Sequence, residues 1–326
     1  MSPHETSVPR SRVILGFAAV YILWGSTYLG IRFAVATLPP LLMAGSRFLV
    51  AGPLLYMLVR YYGAPRPTRV HWRSALILGT LLLLGGNGVV SIAELSLPSG
   101  ITALIVAAVP FWMVLLNAVE QRSWPRLPVL AGLVLGIVGL AILVMPNAAG
   151  APDHVDPVGV AMLVAATLSW AVGSLYAHRA ELPASTFLGV SMEMIAGGAM
   201  LCLVGLCKGE GAALHLSAVS LKSWLALGYL IVFGSLLGFS AYVWLLKVTT
   251  PARASTYAFV NPVIAVLLGW ALAGEAVTPR IAVAGGTIVA AVSLILYFDA
   301  AKAKPQAAAG HTGTPHAQPV EQPLQD

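Results

Sequence analysis

The chain is built of long apolar stretches, each about the length of a membrane crossing, separated by short breaks rich in polar residues, Pro and Gly. A helix needs about 20 apolar residues to cross the hydrocarbon core of a bilayer. That length predicts helices over 13–36, 40–62, 74–97, 99–119 and 128–145, then over 157–178, 184–207, 222–247, 252–274 and 279–298. Runs such as 75–84 and 129–144 are apolar on every face, without the alternation of a transmembrane strand. The expected fold class is an all-α polytopic membrane protein with ten transmembrane helices.

Composition agrees: 58% of the 326 residues are hydrophobic and 9% are charged, against about 25% charged in a soluble domain. A water-soluble fold is excluded. The net charge of +6 does not point to nucleic acid, because the basic residues are scattered singly at span ends and form no stripe. They mark orientation instead. With the N-terminus cytoplasmic, Arg10, Arg12, Arg60, Arg66, Arg69, Arg73, Arg122, Arg126, Arg179, Lys247, Arg253, Lys302 and Lys304 lie inside, and only Lys208, Lys222 and Arg280 outside. Positive loops resist translocation, so both termini are expected in the cytoplasm of a cell with a bacterial inner membrane. The first span follows Arg10 and Arg12, is too long for a secretory signal and lacks a small-residue cleavage site, so it is expected to be retained. Cys202 and Cys207 lack metal-ligand spacing and read as small core residues.

The two five-helix sets resemble one another. Pro98 and Pro110, followed by Glu120 and Pro125, match Pro251 and Pro262, followed by Glu275 and Pro279. Ala131, Gly132 and Ile142 fall against Ala284, Gly285 and Ile295 at a constant offset of 153, and Trp24, Gly25 and Ser26 recur as Trp170, Gly173 and Ser174. A repeat with an odd number of spans starts its second copy on the opposite side of the membrane, and inverted repeats are a transporter signature. The expected divisions are a cytoplasmic segment 1–12, a first repeat 13–145, an external loop 146–156, a second repeat 157–298 and a disordered tail 299–326. The tail has no apolar face to bury, and its His311 and His316 are too sparse to hold a metal.

Short motifs in order along both repeats sharpen this: WGSTYL at 24–29, PPLLMAGSRF at 39–48, GNG at 86–88, Ala93 and Glu94 with Pro98 to Gly100, SWAVGS at 169–174, Glu193 with Met194, FGS at 233–235 and STYAFVNP at 255–262. Over roughly 13–298 the chain resembles the EamA-type members of the drug/metabolite transporter superfamily, in their YedA-like inner-membrane exporter branch. That resemblance implies a ten-helix secondary carrier exporting small metabolites such as amino acids, their analogues or drug-like compounds. It also implies peripheral fifth and tenth helices, with the others around a central cavity.

Arg47 stands about seven residues, or about 10 Å, into the second helix. A charge there faces a cavity or a partner, and it reads either as the ligand of a substrate carboxylate or as a clamp on helix-end groups. Glu193, near the middle of the seventh helix and repeat-equivalent to Arg47 and Phe48, reads as a proton carrier, as the fixed partner of an arginine, or as a carboxyl held neutral by a hydrogen bond. Glu94 is placed near the outer end of the third helix, where it would snorkel to the interface or touch substrate. Arg32, also near an outer end, reads as an interfacial anchor or part of an outer gate, and Glu120 and Glu275 read as caps or interface charges. Asn87, among the glycines at 85, 86 and 88, and Asn261, before Pro262, offer amides to a polar substrate. Trp24, Tyr28, Trp112, Trp170 and Tyr257 bring aromatic faces to inner parts of spans, as pocket walls or as packing. Pro110 and Pro262 each free a carbonyl one turn back and are candidate hinges, or kinks required by packing. Gly132, Gly136, Gly285 and Gly286 allow close helix approach, which the other half of one chain can satisfy, so a monomer is expected.

Competing classes fit less well. Asp153, Asp156 and Asp299 lie outside the spans or at their edge, no histidine lies well inside a span, and neither a P-loop nor a nucleophile elbow is present. An enzyme is not expected, nor any cofactor or metal. A regulated pore is the alternative to a carrier. Substrate identity and the choice between proton antiport and facilitated export are left open by the sequence.

Overall fold

The computed structural model describes residues 9–120, 122, 124–125, 127–144, 155–249 and 256–300, and among them ten long helices and no strand occur. They are α1 (Arg10–Ala34), α2 (Pro40–Tyr61), α3 (Arg69–Ala93), α4 (Ser99–Glu120), α5 (Leu127–Val144), α6 (Pro157–Ala177), α7 (Thr186–Cys207), α8 (Leu221–Leu245, with a last turn to Val248), α9 (Tyr257–Ala273) and α10 (Pro279–Ala300). Seven of these, α1–α4 and α6–α8, are long and apolar enough to cross a membrane; α5, α9 and α10 carry shorter apolar stretches. Most of the expected N-terminal segment and external loop, the start of the helix expected at 252, and the tail from 301 lie outside the described residues.

Helix starts follow local chemistry. Pro40 and Pro157 occupy first turns, where a missing N–H costs nothing. Asp156 accepts from the Val158 and Gly159 amides at 3.0 and 3.2 Å and caps α6. The Ser96 hydroxyl donates to the same carboxylate at 2.7 Å, and this bond, with those amides, holds Asp156 below the ordinary carboxylate range. Helix α3 starts five residues earlier than expected, because Thr68 and His71 form a reciprocal capping box ahead of a first turn too polar for a hydropathy window. Two caps are supplied from far along the chain. Glu210 accepts from Leu41 and Leu42 at the start of α2, at 3.2 and 2.8 Å, and Glu275 accepts from the Ser99 amide and hydroxyl, both 2.8 Å, and from Gly100 at 3.1 Å, at the start of α4.

The two halves are packed through each other. Helix α2 lies antiparallel on α7, with Gly45 against Cys202 and Gly198, and Gly52 against Ile195. Helix α5 lies antiparallel on α10, with Gly132 against Ala291 and Ile295, and Gly139 against Ala284 and Ile288. Small residues at such seams let backbones approach, which is how helices gain packing energy where lipid removes the hydrophobic drive. Helix α1 packs on α8 and α9, and α6 packs on α3 and α4. Exchanging α1–α5 with α6–α10 thus reproduces the main packing pattern. Leu15, Met57, Leu206 and Trp270 face outward, as befits a surface in contact with lipid.

Three helices depart from regular α geometry. Residues Gly79–Gly88 of α3 and Leu230–Leu237 of α8 are wound more widely, with hydrogen bonds closing five residues apart. Such π segments collect at functional sites. Helix α4 is interrupted at Ala107 and Ala108, directly ahead of Pro110, and resumes at Val109.

Candidate functional site

Each wide segment is covered by an indole from the other half. On α8, the Trp24 ring lies over Gly238 and its Nε1 donates to the Gly234 carbonyl at 3.3 Å. Around that indole stand Phe239, Tyr242 and Tyr257, with ring centroids 5.2, 5.0 and 5.0 Å away. Arg47 reaches the same turn from α2: it is 5% exposed, its Nε donates to Ser235 Oγ at 2.7 Å, and its guanidinium lies 4.9 Å from the Phe48 ring centroid. Its other end and the Thr27 methyl fill the space beside Gly234. No described carboxylate lies within ion-pair distance of Arg47.

The equivalent arrangement forms on α3. Trp170, from α6, lies against Gly86, and the neighbouring Ser169 hydroxyl donates to the Leu81 carbonyl at 2.8 Å. Asn87 is half-buried in this wide segment. From α7, the Glu193 carbonyl and the Gly197 backbone abut Gly79. The Glu193 side chain is half-buried and makes no hydrogen bond or ion pair among the described residues. Trp112 is farther along, its Nε1 donating to Thr167 Oγ1 at 3.0 Å.

The ten sequence candidates therefore separate. Trp24, Tyr28, Arg47, Glu94, Tyr257 and Asn261 belong to the α1–α8–α9 side, and Asn87, Trp112, Trp170 and Glu193 to the α3–α6–α7 side. Asn261 is 6% exposed, and with its amide turned to satisfy its neighbours the nitrogen donates to the Tyr257 and Tyr21 carbonyls at 3.2 and 3.3 Å. It thereby ties α9 to α1 next to Pro262, where the ladder lacks a donor, and the amide is occupied without any substrate.

Glu94 also departs from expectation. Helix α3 ends at Ala93, four residues early, and the following turn folds the side chain inward. Instead of snorkelling to the interface, Glu94 is 0% exposed and neither carboxylate oxygen has a hydrogen-bond partner among the described residues. Arg32 Nη1 donates to the Glu94 carbonyl at 2.6 Å and to the Leu97 carbonyl at 3.3 Å, pinning the α3–α4 connection to α1. Among the described residues, Glu275 and Arg32 are near enough for their charges to act on the Glu94 carboxyl, and the Tyr28 hydroxyl of α1 is within reach of that carboxyl's charge.

Several residues of the site escaped the sequence reading: Tyr21, whose hydroxyl is 2.6 Å from Thr256 Oγ1; Ser26, 2.6 Å from the Tyr229 hydroxyl; and Thr27, Ser235, Phe239 and Tyr242. Phe239 and Tyr242 are three residues apart and share a helix face, a signal that was available. Ser235 carried none beyond its place in FGS. No group of three His, Cys, Asp or Glu able to hold a metal gathers among the described residues.

Known proteins place this architecture. The sequence pattern described as the EamA-like transporter family matches residues 11–145 and, a second time, 157–297. The chain is 41% identical over 281 residues to the Escherichia coli K12 protein named "Uncharacterized inner membrane transporter YedA", covering 85% of this chain and 88% of that one. It is 26% identical over 288 residues to a Salmonella typhimurium protein named "Probable amino-acid metabolite efflux pump", covering 84% and 93%. A solved crystal structure with 21% identity superposes with a TM-score of 0.58 over 91% of this chain and all of its own, a likeness of fold. The membrane-length helices and these relatives make the chain a multi-pass inner-membrane protein. The double match, one copy for each half of the helix pattern, shows that the chain belongs to the EamA-like transporter family.

Proposed function

We propose that the protein is a secondary exporter of small metabolites, working by alternating access between two inverted five-helix halves. The observation that carries this reading is the paired arrangement of Trp24 on the wide turn of α8 and Trp170 on the wide turn of α3. Two halves built alike and clasping each other in equivalent ways can exchange conformations at little cost, giving two states of similar energy. All ten helices then cross the bilayer, both termini lie in the cytoplasm, and the unit is a single chain.

The substrate class is read from Arg47. A buried guanidinium held by one neutral hydroxyl has donors to spare for a carboxylate, and such charge-assisted bonds are directional and strong. The surrounding Trp24, Phe239, Tyr242 and Tyr257 offer an apolar wall. An amino acid or an analogue supplies both parts, and the Salmonella relative's name points the same way. Proteoliposomes loaded with labelled amino acids test this: saturable efflux, accelerated by unlabelled substrate on the other side, is expected. Flux that neither saturates nor responds to substrate across the membrane would instead make the protein a regulated pore.

A further inference from the structure

We propose that Glu94 is an exchangeable proton site, filled while the α3–α4 end of the molecule is shut and emptied when that end opens. The inference rests on the carrier reading and assigns its coupling ion to a residue other than Glu193. Its basis is a geometry that costs an anion far more than an acid. The side chain is 0% exposed, and both oxygens lack a donor among the described residues. Burying an ionised carboxylate without a partner is far costlier than burying the acid, and groups so placed neutralise.

The neighbours fit the same account. Among the described residues, the titratable and charged groups within electrostatic reach of Glu94 are Tyr28 and Arg32 on α1, and Glu275, which follows α9. Arg32, the one cation of this set, spends its Nη1 on the carbonyls of Glu94 and Leu97 rather than on the Glu94 carboxyl. Glu275 is occupied by the first amides of α4 and opposes a second negative charge beside it. Loss of the proton would therefore add a negative charge within the electrostatic reach of Glu275 and draw the Arg32 guanidinium from the two carbonyls to the carboxylate. That transfer releases the tie between α1 and the 94–98 connection. Proton and gate are then one equilibrium: the shut end favours the acid, and the opened, hydrated end favours the carboxylate with its proton given to water.

Infrared difference spectra of the full-length protein in nanodiscs, titrated from acid to alkaline buffer in choline and then in sodium salts, read the acid directly. Expected is a carboxylic-acid C=O band that persists at neutral pH, is lost in Glu94→Gln and stays in Glu193→Gln. Should the Gln protein fail to fold, Glu94→Asp, which keeps the acid one methylene shorter, should shift the band. No band at neutral pH, a band unmoved by either Glu94 variant, or a band removed by sodium at constant pH would overturn the proposal. In proteoliposomes with a trapped pH dye, substrate efflux should drive proton uptake in wild type, lose that uptake in Glu94→Gln and keep it in Glu94→Asp, which retains an acid. Substrate exchange without proton movement in wild type would overturn the coupling while leaving the carrier reading intact. The infrared band is read without substrate, so a failure of the carrier reading is recognised separately.

Discussion

Arg47 sits where an apolar run would put Leu, and a buried guanidinium persists only if something accepts its hydrogen bonds. Ser235 accepts one. If a substrate carboxylate accepts others, Arg47→Gln loses hydrogen bonds to a charged group, worth about 1.5–3 kcal/mol. That corresponds to a rise of about tenfold or more in the half-saturating concentration of carboxylate substrates in efflux assays. Arg47→Lys should recover only part of this, since an ammonium lacks the fork that serves Ser235 and a ligand together. An unchanged concentration dependence in Arg47→Gln would reassign the residue to holding α2 against α8. Trp24→Phe separates two contributions of that indole, keeping a ring against Gly238 while removing the donor to the Gly234 carbonyl. It should slow exchange less than Trp24→Ala, which also opens a void among Phe239, Tyr242 and Tyr257.

Arg47 was legible in the sequence for a simple reason: a lone charge in an apolar run has few explanations. Glu94 was not, because its meaning depends on where α3 stops. Extending the helix to 97 sends the carboxyl toward the interface; stopping at Ala93 turns it inward beneath Arg32. Asn261 likewise reads as a free amide until its neighbours' carbonyls are placed.

Among elements, the seams made by glycine give the sharpest expectations. A Cβ at Gly79 would stand 2.6 Å from the Gly197 nitrogen and 2.8 Å from the Glu193 carbonyl, both backbone atoms that cannot step aside. Gly79→Ala should therefore cost about 1–3 kcal/mol through separation of α3 from α7, seen as a lowered melting temperature in detergent. Gly286→Ala, with nothing within 4 Å, should be neutral. Helix starts respond to acid. The Asp156 carboxyl, held below its ordinary range by Ser96 and by the α6 amides, adds stability above the unfolded carboxylate range and loses it as pH falls through the folded value. Melting curves of wild type and Asp156→Asn should differ near neutrality and converge at low pH. Hydropathy located the seven helices of membrane-crossing length and the three shorter apolar ones, because apolar length is a property of composition. It was blind to the wide turns of α3 and α8, which differ from ordinary helix only in which carbonyl each amide chooses. The glycines at 85, 86 and 88 are compatible with close approach or with a kink, and do not distinguish the two.

For the whole molecule, the repeat was readable from matched prolines and glycines, and the packing pattern repeats with it. Orientation rests on the distribution of basic residues. Protease-sensitive tags on either terminus should be cleaved from the cytoplasmic side and protected in intact cells; a C-terminal tag cleaved from outside would remove a crossing.

The glycine seams have one more consequence. Helix α2 finds its close partner in α7, and α5 finds its own in α10, while Arg280 at the start of α10 donates to the Ile142 carbonyl, 2.7 Å away, at the end of α5. Nothing in that list depends on the peptide bonds between residues 145 and 154. What makes one molecule of two halves is the surface they share, and the connector serves mainly to deliver both in equal number. Two polypeptides, 1–149 and 150–326, made separately in the same cell, should find each other in the bilayer and purify together, each insoluble or degraded without its complement.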